Sequence, residues 1–194
     1  MELSQQQLQI ISNSRFDKES AEISLFDVLE HILGGYSVIT LHSLKTGVKF
    51  TYRIEQMVDY VHGKPVKKDM YYLNLKTGPD NYTDYSYAGV IQKNNNKWAF
   101  RFTKKSNMTE DSLGVTIFVM LLSKLQQNFE VLNTLRTSLK VYHDGSCGKC
   151  GKSLTDIISV NTGFGPVCSP HIHKAYKAEA KRRGIKIKSL SEKV

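Results

Sequence analysis

The chain has 194 residues, of which 40% are hydrophobic, and its mean hydropathy is −0.34. These values are typical of a folded protein and exclude a disordered tail, and the longest apolar run, Val115 to Leu122, is too short to cross a bilayer. The formal net charge is +9, and +6 of it lies between Lys174 and Val194, where eight Lys or Arg stand against two Glu. Such a basic end indicates contact with phosphate or with an acidic protein.

The first residues predict two helices. One is the short segment Gln5 to Ile11, and the other is Ser24 to Leu33, with Ser24 as its N-cap and Gly34-Gly35 at its end. The second helix has an apolar stripe formed by Leu25, Val28, Leu29 and Ile32. After the glycines the hydrophobic period changes to two, which indicates strands.

Five strands are predicted in the middle of the chain, and turn-forming residues such as Lys45-Thr46-Gly47 separate them. They are Tyr36 to Leu41, Val48 to Ile54, Met70 to Leu75, Tyr85 to Gln92 and Lys97 to Thr103. Because the spacing is that of hairpins, we expect one antiparallel sheet.

An apolar helix is predicted from Ser112 to about Gln126, starting after Thr109-Glu110-Asp111. It is apolar around most of its girth, so we expect it to be a central helix packed on the sheet. Residues 133–142 would then connect to the cysteine segment, with an extended end. The predicted fold class is α+β: residues 1–139 form the sheet and its central helix, and residues 140–194 form a small zinc module with a basic C-terminal helix and tail.

All three cysteines lie in one segment, which begins with Cys147 and Cys150 at C-x2-C spacing and continues to Cys168. The N-terminus does not resemble a signal peptide, so we expect an intracellular protein, in which clustered cysteines indicate a metal. The glycines after each of the first two cysteines suit a tight turn that aims both thiolates at one ion.

His171 follows Cys168 at C-x2-H spacing, near the predicted start of a helix at Ser169 or Pro170, so both side chains project from one helix face. A Cys3His set is a closed tetrahedral site, which predicts one structural Zn²⁺. His173 and His143 are the alternative fourth ligands. A knuckle, a short hairpin and a ligand-bearing helix start would together form a treble-clef-like module.

The segment also fits the pattern C-G-x-C-G-x-x-L-T-x-x-x-S-x-x-x-G-x-G-P-x-C, from Cys147 to Cys168. In this it resembles a small cysteine-rich family of unknown function that is common in bacteriophage and mobile-element proteins. The stretches Thr46 to Arg53 and Thr77 to Asn81 resemble what precedes the motif in such proteins. The resemblance implies metal binding, a phage origin and hence the cytoplasm of a bacterial host, but no established activity.

Nucleic-acid binding is the leading functional hypothesis, with DNA and RNA both possible. The zinc module would present a basic helix and tail to phosphates in a salt-sensitive way, through Lys174, Lys177, Lys181, Arg182, Arg183, Lys186 and Lys188. Tyr82, Tyr85 or Tyr87 could stack on unpaired bases, although a cross-strand role is favoured for the last two.

The alternative hypothesis is a protein-binding inhibitor of a host enzyme or defence complex, similar in role to an anti-CRISPR protein. An enzyme is not expected, because the sequence has no phosphate-binding loop, no nucleophile elbow and no recognisable carboxylate metal motif. His31, His42 and His62 are lone histidines, which are mostly structural or surface groups. No membrane partner is expected, and the sequence does not indicate the oligomeric state.

Overall fold

The computed structural model describes residues 21–185. In chain order the elements are β1 (Glu22–Ile23), α1 (Val28–Ile32), β2 (Tyr36–Ser43), β3 (Lys49–Val61), β4 (Lys64–Lys76), β5 (Tyr85–Asn94), β6 (Lys97–Arg101), α2 (Leu113–Lys124), α3 (Phe129–Leu135), β7 (Leu139–His143), α4 (Ile157–Thr162) and α5 (Pro170–Arg182).

The seven strands form one curled antiparallel sheet in the order β1-β7-β2-β3-β4-β5-β6. From β2 to β6 each strand pairs with the next one in the chain, because short turns connect them. The five predicted strands and their antiparallel arrangement are therefore confirmed, with ends that differ by up to several residues. The fold is mixed α and β, as expected.

β3 and β4 extend beyond their neighbours as a two-stranded ribbon, residues 57–69. β2 pairs with β3 only as far as Glu55, and β5 pairs with β4 only from Met70 onward. The ribbon closes at His62-Gly63, both with left-handed φ (49° and 73°), which suits a two-residue hairpin. The sequence pattern does not predict the ribbon, because alternation of polar and apolar residues indicates a half-buried strand and residues 58–69 are exposed.

The helix α2 packs on one side of the sheet through Val115, Phe118 and their neighbours. The Phe118 ring lies 5.0 Å from the ring of Tyr52, whose hydroxyl donates a hydrogen bond to the Gly114 carbonyl at 2.8 Å. Leu113 and Met120 are 60% and 55% exposed, so one side of the apolar girth of this helix is not covered by the sheet. The helix starts at Leu113 with Ser112 as N-cap. Residues 109–111 instead belong to a turn in which Ser112 N donates to Thr109 O.

The helix α1 is shorter than predicted, because its N-cap is Asp27 and not Ser24. The Ser24 carbonyl accepts a hydrogen bond from Asp27 N at 2.8 Å, which closes a turn ahead of the helix. The predicted apolar stripe is largely confirmed, since Val28 and Ile32 are fully buried. Burial and the nearby charge of Glu30 raise the pKa of Asp27 to about 7. The predicted helix at residues 5–11 lies outside the described residues.

The cysteine segment leaves the sheet directly. The region 133–142, predicted as a connection with an extended end, contains the end of α3 and most of β7. β7 pairs with β2 from Ser43↔Leu139 to Ile39↔His143, so the predicted boundary between residues 139 and 140 falls inside a strand of the sheet. Within residues 21–185 no helix has the length and apolarity needed to cross a membrane.

Candidate metal centre

Cys147 and Cys150 lie in a tight turn that follows β7. Cys147 N donates to Lys152 O and Gly151 N donates to Cys147 O, each at 2.8 Å. Ser146 and Ser153 form an isolated antiparallel bridge at the base of this turn. Gly151 has φ 70°, the left-handed conformation that the sequence predicts for a glycine here. We call residues 145–154 the knuckle.

A helix, and not the predicted hairpin, separates the knuckle from the third cysteine. The Asp156 carboxylate caps α4 by accepting hydrogen bonds from Ile158 N and Ser159 N at 3.1 and 3.0 Å. Gly163 ends the helix with φ 73°. Thr155, Ser159 and Gly163, which are fixed positions of the motif, therefore lie in or next to this short helix. The spacing of the cysteines does not predict a helix between them.

The third cysteine lies at the entrance of the last helix. Cys168 N and Ser169 N both donate to the Gly165 carbonyl at 3.0 Å, which turns the chain into α5. Ser169 is the N-cap and Pro170 is the first helical residue, as predicted. Cys168 thus immediately precedes the N-cap of a rigid helix.

The three thiol sulfurs all lie within 4.8 Å of one another, so the predicted cysteines are brought together. In a tetrahedral zinc site with Zn–S bonds of about 2.3 Å, neighbouring sulfurs are about 3.8 Å apart, so a small inward movement would complete the geometry. Cys147 is buried, Cys168 is half-buried and Cys150 is exposed. The group of thiols is therefore accessible to solvent on the side of Cys150 and covered by protein on the side of Cys147.

The electrostatics of the three thiols favour a cation among them. Burial opposes ionisation of Cys147, yet the N–H groups of Gly165, Lys149 and Cys150 outweigh it and lower the pKa of Cys147. Burial and the two other thiols raise the pKa of Cys168 to about 12. Without a metal the three groups cannot all be thiolates, whereas a divalent cation would offset their mutual repulsion. The group therefore fits a metal ion.

The predicted fourth ligand is not in this group, because among residues 21–185 the group contains the three cysteines alone. His171 is half-exposed in the first turn of α5, and its imidazole makes no hydrogen bond with the described residues. His173 is buried, and its Nε2 donates to the Phe164 carbonyl at 2.8 Å. His143 is engaged at both nitrogens, by Val160 O at 2.7 Å and by Gly145 N at 2.9 Å. His143 is thereby excluded as a ligand in this conformation.

A buried histidine of α1 connects the knuckle to the sheet. The His31 ring is fully buried, and its Nδ1 lies 2.7 Å from the Ser37 hydroxyl at the start of β2. A Cβ at Gly148 would lie 2.9 Å from this ring, and one at Gly163 would lie 2.6 Å from it. Burial, and then the nearby His143, lower the pKa of His31 to about 3, so the ring is neutral. Its structural character was expected, but its place against the knuckle was not.

Two further contacts hold the knuckle on the same elements. Tyr36 N at the start of β2 donates to the Gly148 carbonyl at 2.8 Å. The Lys149 ammonium lies 3.5 Å from the carboxylate of Glu30 on α1 and donates to the Cys168 carbonyl at 3.1 Å. Lys149 therefore bridges the knuckle, α1 and the entrance of α5.

The helix α5 carries the predicted basic residues on its exposed side. Its buried residues are Ile172, His173, Tyr176 and Ala180, and all of them except His173 pack with Ile157 and Ile158 of α4. Lys174, Lys177 and Lys181 are exposed and, at spacings of three and four residues, share one face; we call them the lysine stripe. Lys186 and Lys188 lie outside the described residues.

The two predicted arginines are arranged differently from the lysines. Arg182 and Arg183 both form ion pairs with Glu179 at 2.7 Å. Hydrogen bonds from the two guanidinium groups hold the pKa of Glu179 well below its usual range. Their positive charge is therefore partly compensated within the helix, and the lysine stripe is the less compensated part of the surface.

The model of a family of unknown function (DUF6011) matches residues 138–173. The match extends from just before β7 into α5, and it includes the three cysteines and His171. This family has no known activity, as the sequence resemblance implied. The match covers only the cysteine segment and its flanks. No curated protein and no solved structure matches this chain. The phage origin and the cytoplasmic location stay expectations.

Proposed function

We propose that this protein binds nucleic acid without catalysis, through the lysine stripe of a module that a structural zinc ion stabilises. The observation that carries the proposal is that α5 has one buried side and one exposed, basic side. Its buried side packs within the cysteine segment, while Lys174, Lys177 and Lys181 are exposed along the same helix. Exposed cations at helical spacing suit the phosphates of DNA or RNA, which supply most sequence-independent affinity.

Zinc is proposed because three thiolate ligands favour it over the hard cations, and because a closed site serves as a structural support. The ligands would be Cys147, Cys150 and Cys168, with His171 as the fourth. His171 precedes the lysine stripe on α5 and is three residues after Cys168, so a change of its side-chain rotamer would direct it to the same side. The knuckle and the ligand-bearing helix start would then form a treble-clef-like module.

The zinc assignment is tested by metal analysis of the purified protein. We expect one zinc per chain, lost in Cys150→Ser, whose side chain is exposed so that the substitution disturbs little packing. His171→Ala should retain zinc with lower affinity, measured by competition with a chromogenic chelator, and Lys174→Ala is the matched control on the same helix. Full zinc occupancy in Cys150→Ser would show that the ligand set is wrong.

The nucleic-acid assignment is tested by fluorescence anisotropy with duplex DNA, single-stranded DNA and RNA at several salt concentrations. Replacing the lysine stripe by three glutamines should weaken binding to every probe and reduce the slope of log affinity against log salt by about three units. The control replaces three exposed lysines outside α5, Lys45, Lys97 and Lys104, by glutamine. Equal loss in both variants would indicate a general charge effect and no dedicated surface.

A protein partner is the second candidate, and the ribbon is the observation that favours it. Val58, Tyr60 and Val61 are 42%, 70% and 45% exposed, so apolar side chains lie on a projecting element. An inhibitor of a host enzyme or defence complex could use such an element. Partner capture that survives nuclease treatment and is lost in Tyr60→Asp would support this candidate over nucleic-acid binding.

A further inference from the structure

The sheet has a second face that carries no part of the main apolar core. In β2, β3 and β4 every buried hydrophobic side chain lies on one side, as Ile39, Tyr52 and Leu73 do. Because successive side chains of a strand alternate, their sequence neighbours form the opposite face. In antiparallel sheets such a face is usually polar.

This opposite face is unusually rich in tyrosine. The pairing register places five of the chain's ten tyrosines on it, and we call the surface they form the tyrosine face: Tyr36, Tyr72, Tyr85, Tyr87 and Tyr142. Tyr36 is 40% exposed and the others are half-exposed. The rings of Tyr72 and Tyr87 lie edge to face at 6.1 Å, so they support one another sideways. Their alternation was visible in the sequence, but the lack of an apolar core on this side was not.

An arginine lies among these rings. The Arg53 guanidinium carbon is 4.3 Å from the centroid of the Tyr85 ring, a cation–π contact that places the guanidinium group over this ring. Its Nη1 also donates to the carbonyl of Tyr82, which is 84% exposed at the margin. A flat guanidinium group beside aromatic rings offers a surface on which a base can stack and a charge that a phosphate can approach.

The charges on the tyrosine face are complementary to an anion. Its two strand carboxylates are already in ion pairs, Glu55 with Arg53 at 3.6 Å and Glu22 with Lys140 at 2.8 Å. Lys49 and Lys76 project from the same side of β3 and β4, and neither forms an ion pair with a described residue. The Lys76 ammonium donates hydrogen bonds to the Pro79 carbonyl and the Asn81 side chain, and the Asp144 carboxylate acts on Tyr85. Arg53, Lys49, Lys76 and Lys140 still outnumber the carboxylates of Glu55, Glu22 and Asp144, so the face has positive charge left for a polyanion.

The knuckle borders this face as well. Gly151 lies against the ring of Tyr36, because a Cβ added at Gly151 would be 2.8 Å from Tyr36 Cδ1. The exposed Lys152 follows it. A strand bound on the tyrosine face would thus pass next to the metal centre.

We infer that the tyrosine face binds single-stranded nucleic acid by stacking unpaired bases on the Tyr36 ring and on the Arg53 guanidinium group, which the Tyr85 ring supports. Every base has a flat π-surface, so stacking accepts any sequence, and alanine substitution of one stacking ring lowers affinity about 5- to 150-fold. A duplex buries its base faces and cannot stack on a sheet. This site is separate from the lysine stripe, which would contact phosphates of single and double strands alike.

The test compares binding of labelled oligothymidine, oligouridine and a DNA duplex. Tyr36→Leu and Tyr85→Leu remove the ring and retain apolar volume, Tyr36→Phe and Tyr85→Phe retain the ring, and Tyr60→Leu is the control at a 70% exposed tyrosine outside the face. We expect each leucine variant of the face to lose about tenfold or more for single strands and less than about twofold for the duplex. The phenylalanine variants and Tyr60→Leu should bind as the wild type does, and unfolding curves verify that each variant is folded.

The outcomes separate this inference from the proposed function. If the leucine variants bind single strands as tightly as the wild type, or if the wild type binds no single strand, the inference is overturned, whatever the lysine-stripe variant does. If the leucine variants lose single-strand binding and the lysine-stripe variant does not, the inference stands and the proposed function fails. Leucine variants that change the sedimentation coefficient while binding normally would assign the face to a second copy of the chain, and so contradict the inference. Comparing oligothymidine with oligouridine then distinguishes DNA from RNA.

Discussion

Gly163 allows the cysteine segment to pack on His31, and Gly163→Ala should therefore destabilise the protein strongly. The residue ends α4 with φ 73°, where an alanine costs about 1–2 kcal/mol. Its new Cβ would lie 2.6 Å from Cδ2 of His31. Ordinary contacts begin at 3.4 Å, so the ring would have to retreat by about 0.8 Å.

The His31 ring has little space into which it can retreat. It is fully buried, Gly148 touches it, and the Phe164 ring centroid lies 5.3 Å from its own. Overpacking of a buried site costs about 1–3 kcal/mol. We therefore expect Gly163→Ala to lower the free energy of unfolding by about 2–5 kcal/mol in total.

A matched glycine separates the two contributions. Gly47, between β2 and β3, has φ 72° but no atom within 4 Å of an added Cβ. Gly47→Ala should therefore show the backbone cost alone, about 1–2 kcal/mol, and the effect on the unfolded chain is the same in both variants. Urea unfolding followed by circular dichroism, in buffer with excess zinc, measures both variants.

A double-mutant cycle completes this test. In a His31→Ala background the added methyl group meets no ring, so Gly163→Ala should cost about 1–3 kcal/mol less than it does in the wild type. Equal losses for the two glycine variants, or additive effects of His31→Ala and Gly163→Ala, would refute the packing of His31 against the end of α4.

Three further predictions follow from other parts of the molecule. The raised pKa of Asp27, about 7 against an ordinary value of 3.8, means that the folded state holds a proton that the unfolded state releases. The stability that this proton contributes is full below about pH 4 and is lost as the pH rises through 7. In urea unfolding, Asp27→Asn should therefore become more stable relative to the wild type as the pH rises from 5 to 8. A difference in free energy of unfolding between the two proteins that does not change with pH would contradict this. Phe118→Ala should cost about 3–5 kcal/mol, because the ring is fully buried, whereas Met120→Ala on the same helix should cost less than about 0.5 kcal/mol by the same assay. Glu179→Gln should release Arg182 and Arg183 from their ion pairs with this residue. Duplex DNA should then bind about 3- to 10-fold more tightly at low salt in anisotropy titrations, and its affinity should depend more steeply on salt. Weaker binding would indicate that the ion pairs position the helix.

The sequence was most informative where the relevant geometry is local. The C-x2-C turn, the left-handed glycine after it and the helix start at Ser169-Pro170 all depend on a few consecutive residues, and all three are as predicted. The five strands of the meander were also recognisable, because each borders a turn and has one buried face. In the ribbon both faces are exposed, so polar and apolar residues do not alternate there and the sequence did not predict these strand extensions.

Helix boundaries were predicted less well, for a physical reason. Thr109 and Ser24 are both good capping residues in isolation, but each closes a turn ahead of the helix, and Ser112 and Asp27 are the N-caps. Several adjacent polar residues can satisfy the first N–H groups of a helix, and tertiary packing selects among them.

The sequence by itself determined that three thiols would meet at one point, that an antiparallel sheet would precede them and that a basic helix would follow. Only the tertiary structure decided what the group of three cysteines rests on and which surfaces stay exposed. His31 and Gly148 are more than a hundred residues apart in the chain, and their contact depends on the complementary shapes of a ring and a backbone without a Cβ. The same holds for the tyrosine face: alternation along a strand divides residues into two groups, but only the packing of α2 on the sheet shows which group is covered.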